Sequence, residues 1–237
     1  HGYNRFANTL PSFAGSVVEL PWAPKERMVR RRLLASGYTE AVSSTFCYAT
    51  DAVTFARQKN SHVSLGNPLS EEVGCMRPSL VPGMLAMLAH NLNREVDNVR
   101  LFEMGTVFTG LSGGNVNHVH EKFSLAIGAT GAAVAAHATT GSREYSFYDL
   151  KGVAEELLSG FTGEPTYFAG ESGSMPAWLH PGRAVRVAID GKTIGFFGQL
   201  ALQESQQRKL RQTIFVGEFD LDSLFRHALR EPVHVAV

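Results

Sequence analysis

Apolar residues first recur at helical spacing after Pro24, where Met28, Val29, Leu33 and Leu34 form a stripe that closes at Gly37. Proline suits the opening turn of a helix and glycine the left-handed residue that ends one, so a helix is predicted over 24–37. Residues 42–48, rich in β-branched and aromatic side chains, predict a strand, and Asp51 reads as the cap of a short helix reaching Phe55. A short strand at 63–65 runs into Gly66-Asn67-Pro68, a turn because Pro68 removes a donor and holds Asn67 extended. Ser79 then caps a helix that carries Pro82 in its first turn, and the stripe Leu80, Met84, Met87, Leu88, Leu92 takes it to about Arg94.

Residues 99–108 alternate as a strand, with Val99, Leu101, Glu103, Gly105 and Val107 on one face and Phe102, Met104 and Phe108 on the other. Both faces are largely apolar, the mark of a central strand. A turn is predicted at 110–117, a strand at 123–129, and no clear element in the Ala- and Thr-rich stretch 131–141. Asp149 reads as the cap of a helix over 150–161 that packs through Val153, Leu157 and Leu158, followed by a strand at 166–169. The clearest hairpin joins 183–189 to 193–198 through Asp190-Gly191, which supplies the positive φ angles of a tight turn. A helix at 202–210, a strand at 214–221 and a last helix at 221–229 complete the pattern.

Hairpins and helix–strand pairs are mixed, with no regular βαβ alternation and no repeat, so the fold class is α+β: a mainly antiparallel sheet flanked by helices. No Pro- or Ser-rich linker divides the chain, and residues 1–237 read as a single domain. The 237 residues are 44% apolar, enough for a large core. Twenty-two Lys and Arg balance 22 Asp and Glu, so the molecule has no general attraction for a phosphate backbone, and contact with RNA would be local. Cys47 and Cys75, without CxxC spacing, argue against a disulfide framework or a zinc site and point to the cytoplasm. No apolar run of about 18 residues offers a membrane span. The chain opens on His1-Gly2-Tyr3 without methionine and stops in a strand-like run at 233–237, as expected of a piece of a longer protein.

Several residues are candidates for chemistry. Glu103 lies among apolar neighbours; left unpaired it could act as a general base, and otherwise it pairs with an arginine such as Arg77 or Arg100. His180, before Pro181-Gly182-Arg183, is either a ligand or a histidine that holds a turn through the backbone. His118-x-His120-Glu121 has alternating donors but no second acidic or cysteine pair nearby, which favours a solvated edge over a metal site. Gly110-x-x-Gly113-Gly114 lacks the lysine and following helix of a phosphate loop. Arg30-Arg31-Arg32 is the one dense basic cluster, a solvated face or a contact for acidic groups.

Asn67-Pro68-Leu69-Ser70, followed by Arg77-x-Ser79-Leu80-x-Pro82-Gly83, resembles a signature of the bacterial phenylalanyl-tRNA synthetase beta subunit. The resemblance continues in order through Gly37-Tyr38, Asn91-Leu92-Asn93-Arg94, Arg100 to Phe108 with Glu103 and Gly105, Asp149-Leu150-Lys151-Gly152, His180-Pro181-Gly182-Arg183, and Gly217-Glu218-Phe219-Asp220. It implies a class II aminoacyl-tRNA synthetase catalytic-like fold. It also implies that editing, tRNA-contacting, magnesium-site and anticodon-binding parts of the subunit lie outside this stretch.

Class II enzymes set one arginine after the second-motif strand and another at the end of a glycine-rich strand–helix motif, where the reacting phosphates gather negative charge. Here Thr109-Gly110 follows the first strand, and the acids Glu218 and Asp220 occupy the second. Each such contact is worth about 3 kcal/mol of transition-state stabilisation, so this chain alone is expected to form no adenylate. Arg226 is the one nearby candidate to replace the second arginine.

Within the resemblance the module is then a non-catalytic core that assembles with a catalytic alpha subunit into a two-alpha, two-beta ligase. The chain itself would carry no catalytic residue, metal or cofactor, and ATP and Mg2+ would serve the holoenzyme, as would tRNA(Phe). Met28, Val29, Arg30, Arg31, Leu33 and Leu34 of the first helix become the candidate subunit interface. Two other functions are an active ATP-dependent ligase with a rearranged site, and an α+β domain binding a small ligand between Glu103, Arg77 and His180.

Overall fold

The computed structural model describes residues 2–9, 12, 14–16, 18–58, 61–68, 70, 73–110, 119–134, 141–169 and 175–231. Helix α1 (Ala23–Ala35) starts with Pro24 in its first turn and ends before Gly37, whose φ of +81° is the left-handed closure read from sequence. Strands β1 (Thr39–Glu40) and β2 (Phe46–Cys47), helix α2 (Ala49–Thr54), and strands β3 (Val63–Ser64) and β4 (Cys75–Met76) lead into helix α3 (Val81–Leu92). The long strands β5 (Val99–Gly110) and β6 (Val119–Thr130) follow, then the small pair β7 (Ala132–Val134) and β8 (Arg143–Glu144). Helix α4 (Phe147–Leu158), strands β9 (Pro165–Ala169), β10 (Leu179–Ile189) and β11 (Lys192–Leu200), helix α5 (Leu202–Gln207), strand β12 (Phe215–Asp220) and the one-turn helix α6 (Leu221–Leu224) complete the order. Asp190 (φ +51°) and Gly191 (φ +75°) make the tight turn predicted between β10 and β11.

Seven strands form one sheet in the order β1-β5-β6-β12-β11-β10-β9, antiparallel throughout except for the parallel edge pair β1 with β5. One face buries Phe102, Ile127, Phe197 and Phe219 against α1, α4 and α6. On the other face α3 lays Met84, Leu85 and Leu88 against Ala126 and Val216. One of the transverse rows on that second face is Phe168, Arg186, Phe196, Glu218, Ala126 and Glu103, opposite one another on β9, β10, β11, β12, β6 and β5.

The structure shifts several predicted elements. Only Phe46–Cys47 of the stretch 42–48 joins a ladder, because the Ser43 N–H goes to the Glu103 carboxylate (3.1 Å) instead of to a neighbouring strand. Asp51 sits inside the first turn of α2, not at its cap, and pairs with Arg208. Helix α5 stops at Gln207 and α6 at Leu224; beyond α6 the chain turns back to bridge Phe161 through Leu229. The predicted strand-like run at 233–237, loop residues 111–117 and His118 lie outside the described residues.

Helix α4 begins three residues earlier than expected, with Ser146 as cap and Asp149 in the third helical position. The Asp149 carboxylate accepts from the Ser146 backbone N–H (2.8 Å) and hydroxyl (2.6 Å) and pairs with Arg143 (2.6 Å). The Arg143 bond, aided by those from Ser146 and opposed by partial burial, holds the Asp149 carboxyl well below the usual carboxylate range. A depressed folded-state pKa stabilises above the unfolded value and is lost as pH falls through the folded one. Asp149→Ala is therefore expected to cost about 1 kcal/mol near neutrality. The gap from wild type, measured by urea unfolding, should shrink progressively below about pH 4.

Candidate functional site

The residues that carry the family resemblance converge on β5 and the start of α3. Arg77, nearly buried, donates through Nη1 to Glu103 (2.7 Å) and to the Ser43 hydroxyl (3.1 Å), and through Nε to the Thr106 carbonyl (2.9 Å). Glu103, wholly buried, also accepts from the Ser43 hydroxyl (2.7 Å). Every oxygen of this carboxylate is engaged, so Glu103 is a structural partner of Arg77 and offers no free base; Arg100 is spent on the Ala132 and Ala133 carbonyls. The glycines fit the same unit. A Cβ on Gly105 would come within 2.4 Å of the Arg77 guanidinium, and one on Gly83 within 2.2 Å of the Ser43 hydroxyl. Pro82 occupies the first turn of α3, buried.

The sheet face beneath α3 is filled by side chains. A Cβ on Gly128 would meet Met84 at 2.7 Å and Leu88 at 3.0 Å, so the missing side chain on β6 is what seats the helix. On β12, Glu218 accepts from the Leu80 backbone N–H (2.8 Å) and Asp220 caps α6 through the Ser223 N–H (2.9 Å). Burial pushes the Asp220 carboxyl up, but the Ser223 bonds together with Lys122 and Arg57 outweigh it, and its pKa lies below the usual value. Both acids are thus committed to structure at the positions where the class II pattern would place a phosphate-binding arginine. Arg226 does not replace it: it lines a groove with Trp22 and Lys25, which belong to α1 and the residue that caps it, on the opposite side of the sheet from Glu218. At the end of β5, which runs two residues further than the sequence predicts, Thr109 faces His120 and the Gly110 N–H donates to the Ser61 carbonyl.

The first helix corrects part of the proposed interface. Val29 and Leu33 are 0% and 1% exposed and belong to the core under α1, because the stripe they form faces the sheet. Met28 packs beside them, half-buried, while Leu34 is 50% exposed. The basic cluster is largely neutralised: Arg30 grips Glu40 of the edge strand with two bonds (2.7 and 2.9 Å) and Arg32 pairs with Glu156, leaving Arg31 exposed. Next to β1, Val42, Phe46 and Tyr48 are exposed beside a groove of about 600 Å³ floored by Pro82, Met87 and Leu101. Cys47 at its rim is no nucleophile, since burial first, and Cys75 and Asp51 next, push its thiol up to about 12.

His180 performs the turn-holding role. Its Nδ1 accepts from the Gly182 N–H (3.1 Å), and the segment His180, Pro181, Gly182, Arg183 bulges out of β10 between Leu179 and Ala184, with Arg183 bonded to Gln199. Four strand spacings, about 19 Å, separate β10 from β5, so His180 does not join Arg77 and Glu103 around one ligand. Gly66 and Asn67 form an exposed bend that leads into exposed Pro68; Leu69, Glu71 and Glu72 lie outside the described residues. Asn91 donates to the Met87 carbonyl (2.8 Å) near the end of α3, and exposed Arg94 reaches His90. Among the described residues no cluster of metal-ligating side chains occurs, and no helix is long and apolar enough to cross a membrane.

The model for the phenylalanyl tRNA synthetase beta chain CLM domain matches residues 7–221. The chain belongs to this family. Two phenylalanine-tRNA ligase beta subunits illustrate the relation: that of Dechloromonas aromatica is 33% identical over 228 residues, covering 94% of this chain, and that of Xylella fastidiosa strain Temecula1 is 35% identical over 232 residues, covering 96%. The beta-chain module spans 28% of the length of each of these relatives. A pyrrolysyl-tRNA synthetase structure from Desulfitobacterium hafniense superposes with a TM-score of 0.62 at 16% identity, covering 84% of the module and 66% of that chain. The module therefore shares the class II synthetase fold, and the α+β assignment with its mainly antiparallel sheet stands.

Proposed function

We propose that this beta-chain module is a single non-catalytic domain that holds a catalytic alpha subunit within an ATP- and Mg2+-dependent phenylalanine-tRNA ligase of two alpha and two beta chains, in the cytoplasm. The observation that carries this reading is chemical: on the sheet face where class II enzymes work, the module has Glu218 and Asp220 tied into the fold and α3 seated on Gly128, with no arginine aimed at that face from the end of β5 or β12 among the described residues. The free edge strand β1, Leu34 and Arg31 on the outer side of α1, and the exposed Val42 and Phe46 form the surface that suits a partner, because they leave apolar area uncovered beside an unpaired strand edge. The tRNA is engaged mostly by parts of the subunit outside this stretch.

Co-purification tests the proposal. A tagged full-length beta chain should retain the alpha subunit, and Leu34→Glu combined with Phe46→Glu should reduce the retained alpha subunit at least tenfold while leaving the melting temperature of the beta chain within a few degrees, since both side chains are exposed. Retention unchanged by the double substitution would place the interface elsewhere; no retention by the wild-type chain would end the scaffold reading.

A further inference from the structure

Toward β9 the transverse row leaves the cover of α3 and floors a second cavity, of about 570 Å³, with Arg186, Phe196 and Glu218. Its wall is an aromatic pair, Phe55 and Trp178, with ring centroids 5.9 Å apart in a stacked arrangement. Two arginines line it with incomplete pairing. Arg186 donates through Nη1 to Thr193 (3.1 Å) and lies over the Phe168 ring at 4.1 Å, but its Nε is buried and has no acceptor among the described residues. Arg57 comes only to 3.7 Å from Glu218, beyond hydrogen-bond distance, while the other Glu218 oxygen is taken by the Leu80 N–H. The cavity is thus lined by two guanidinium groups and by one carboxylate that is already partly committed to the Leu80 N–H.

We propose that this cavity binds a small planar aromatic monocarboxylate, with the carboxylate held by Arg57 and Arg186 and the ring against Phe55 and Trp178. Charge selects the class. Two guanidinium groups face the single lining carboxylate of Glu218, and Asp220 beside Arg57 is matched by Lys122 (3.5 Å), which leaves one positive charge to be met; this fits a monoanion and disfavours a phosphate dianion next to a buried acid. The planar fork of arginine matches a carboxylate in two-bond geometry, and the apolar walls favour a flat ring over a sugar or an aliphatic chain. The site shares Glu218 and its sheet face with the scaffold reading but not the partner surface, which lies at the β1 end of the sheet.

Calorimetric titration of the full-length beta chain in complex with its alpha subunit tests this, with indole-3-acetate as the probe and phenyl phosphate and tryptamine as comparisons. Indole-3-acetate should bind saturably, phenyl phosphate more weakly and tryptamine not detectably. Arg186→Met and Arg57→Gln should each weaken the indole-3-acetate site about tenfold, the worth of one charge-assisted bond. Arg57→Gln changes a side chain that is one-third exposed, so the fold is kept even where Arg186→Met disturbs it. Absence of binding by the wild-type protein, equal affinity in wild type and Arg57→Gln, or tighter binding of phenyl phosphate would each overturn the proposal.

Discussion

Arg77→Ala is expected to lower the unfolding free energy of the module by about 3–5 kcal/mol, because it strands a buried carboxylate. Glu103 is 1% exposed, and its other donors, the Ser43 N–H and hydroxyl, are neutral. The loss should spread beyond one pair, since Arg77 also ties the Thr106 carbonyl and the Ser43–Ser44 turn to the base of α3. Replacing both members, Arg77→Met with Glu103→Leu, should recover much of the loss, as two apolar groups leave no buried charge. Urea unfolding with a double-mutant cycle separates these outcomes; equal losses for the single and double variants would show that the pair matters only for its packing.

Met84→Ala should cost about 2–5 kcal/mol by opening a cavity over the β6–β12 ladder, where the side chain is fully buried. Gly128→Val alone should cost about 1–3 kcal/mol, since its Cβ arrives 2.7 Å from Met84 Cγ. Combined, the two changes should cost less than their sum, because the added valine occupies the volume the methionine vacates. Additive losses in thermal or urea unfolding would mean that α3 is not seated through this contact.

Much of this arrangement is legible in the residues. The Pro24 and Gly37 ends of α1 and the Asp190-Gly191 turn were fixed by local chemistry that only those residue types satisfy. The alternation along β5 correctly put Glu103 and Gly105 on one face, and pairing of Glu103 with Arg77 was among its expected outcomes. Periodicity failed where it had to choose between a core and an interface, for a stripe such as Val29 and Leu33 looks the same whether a sheet or a partner covers it. Asp149 misled because a carboxylate in the third helical position and one at the cap carry the same residue type; Ser146, three residues earlier, was the signal that distinguishes them. The arginine cavity was invisible, since Arg186 and Glu218 meet only through the register of β10, β11 and β12 and Arg57 arrives from the segment after α2.

The sheet keeps the class II architecture while, among the described residues, the ends of β5 and β12 carry no arginine. Phenylalanine-dependent exchange of pyrophosphate into ATP by the full-length beta chain, purified without the alpha subunit, tests the non-catalytic reading most directly. No exchange above a blank without protein is expected, and exchange is expected once the alpha subunit is added. Phenylalanine-dependent exchange by the beta chain alone would contradict that reading.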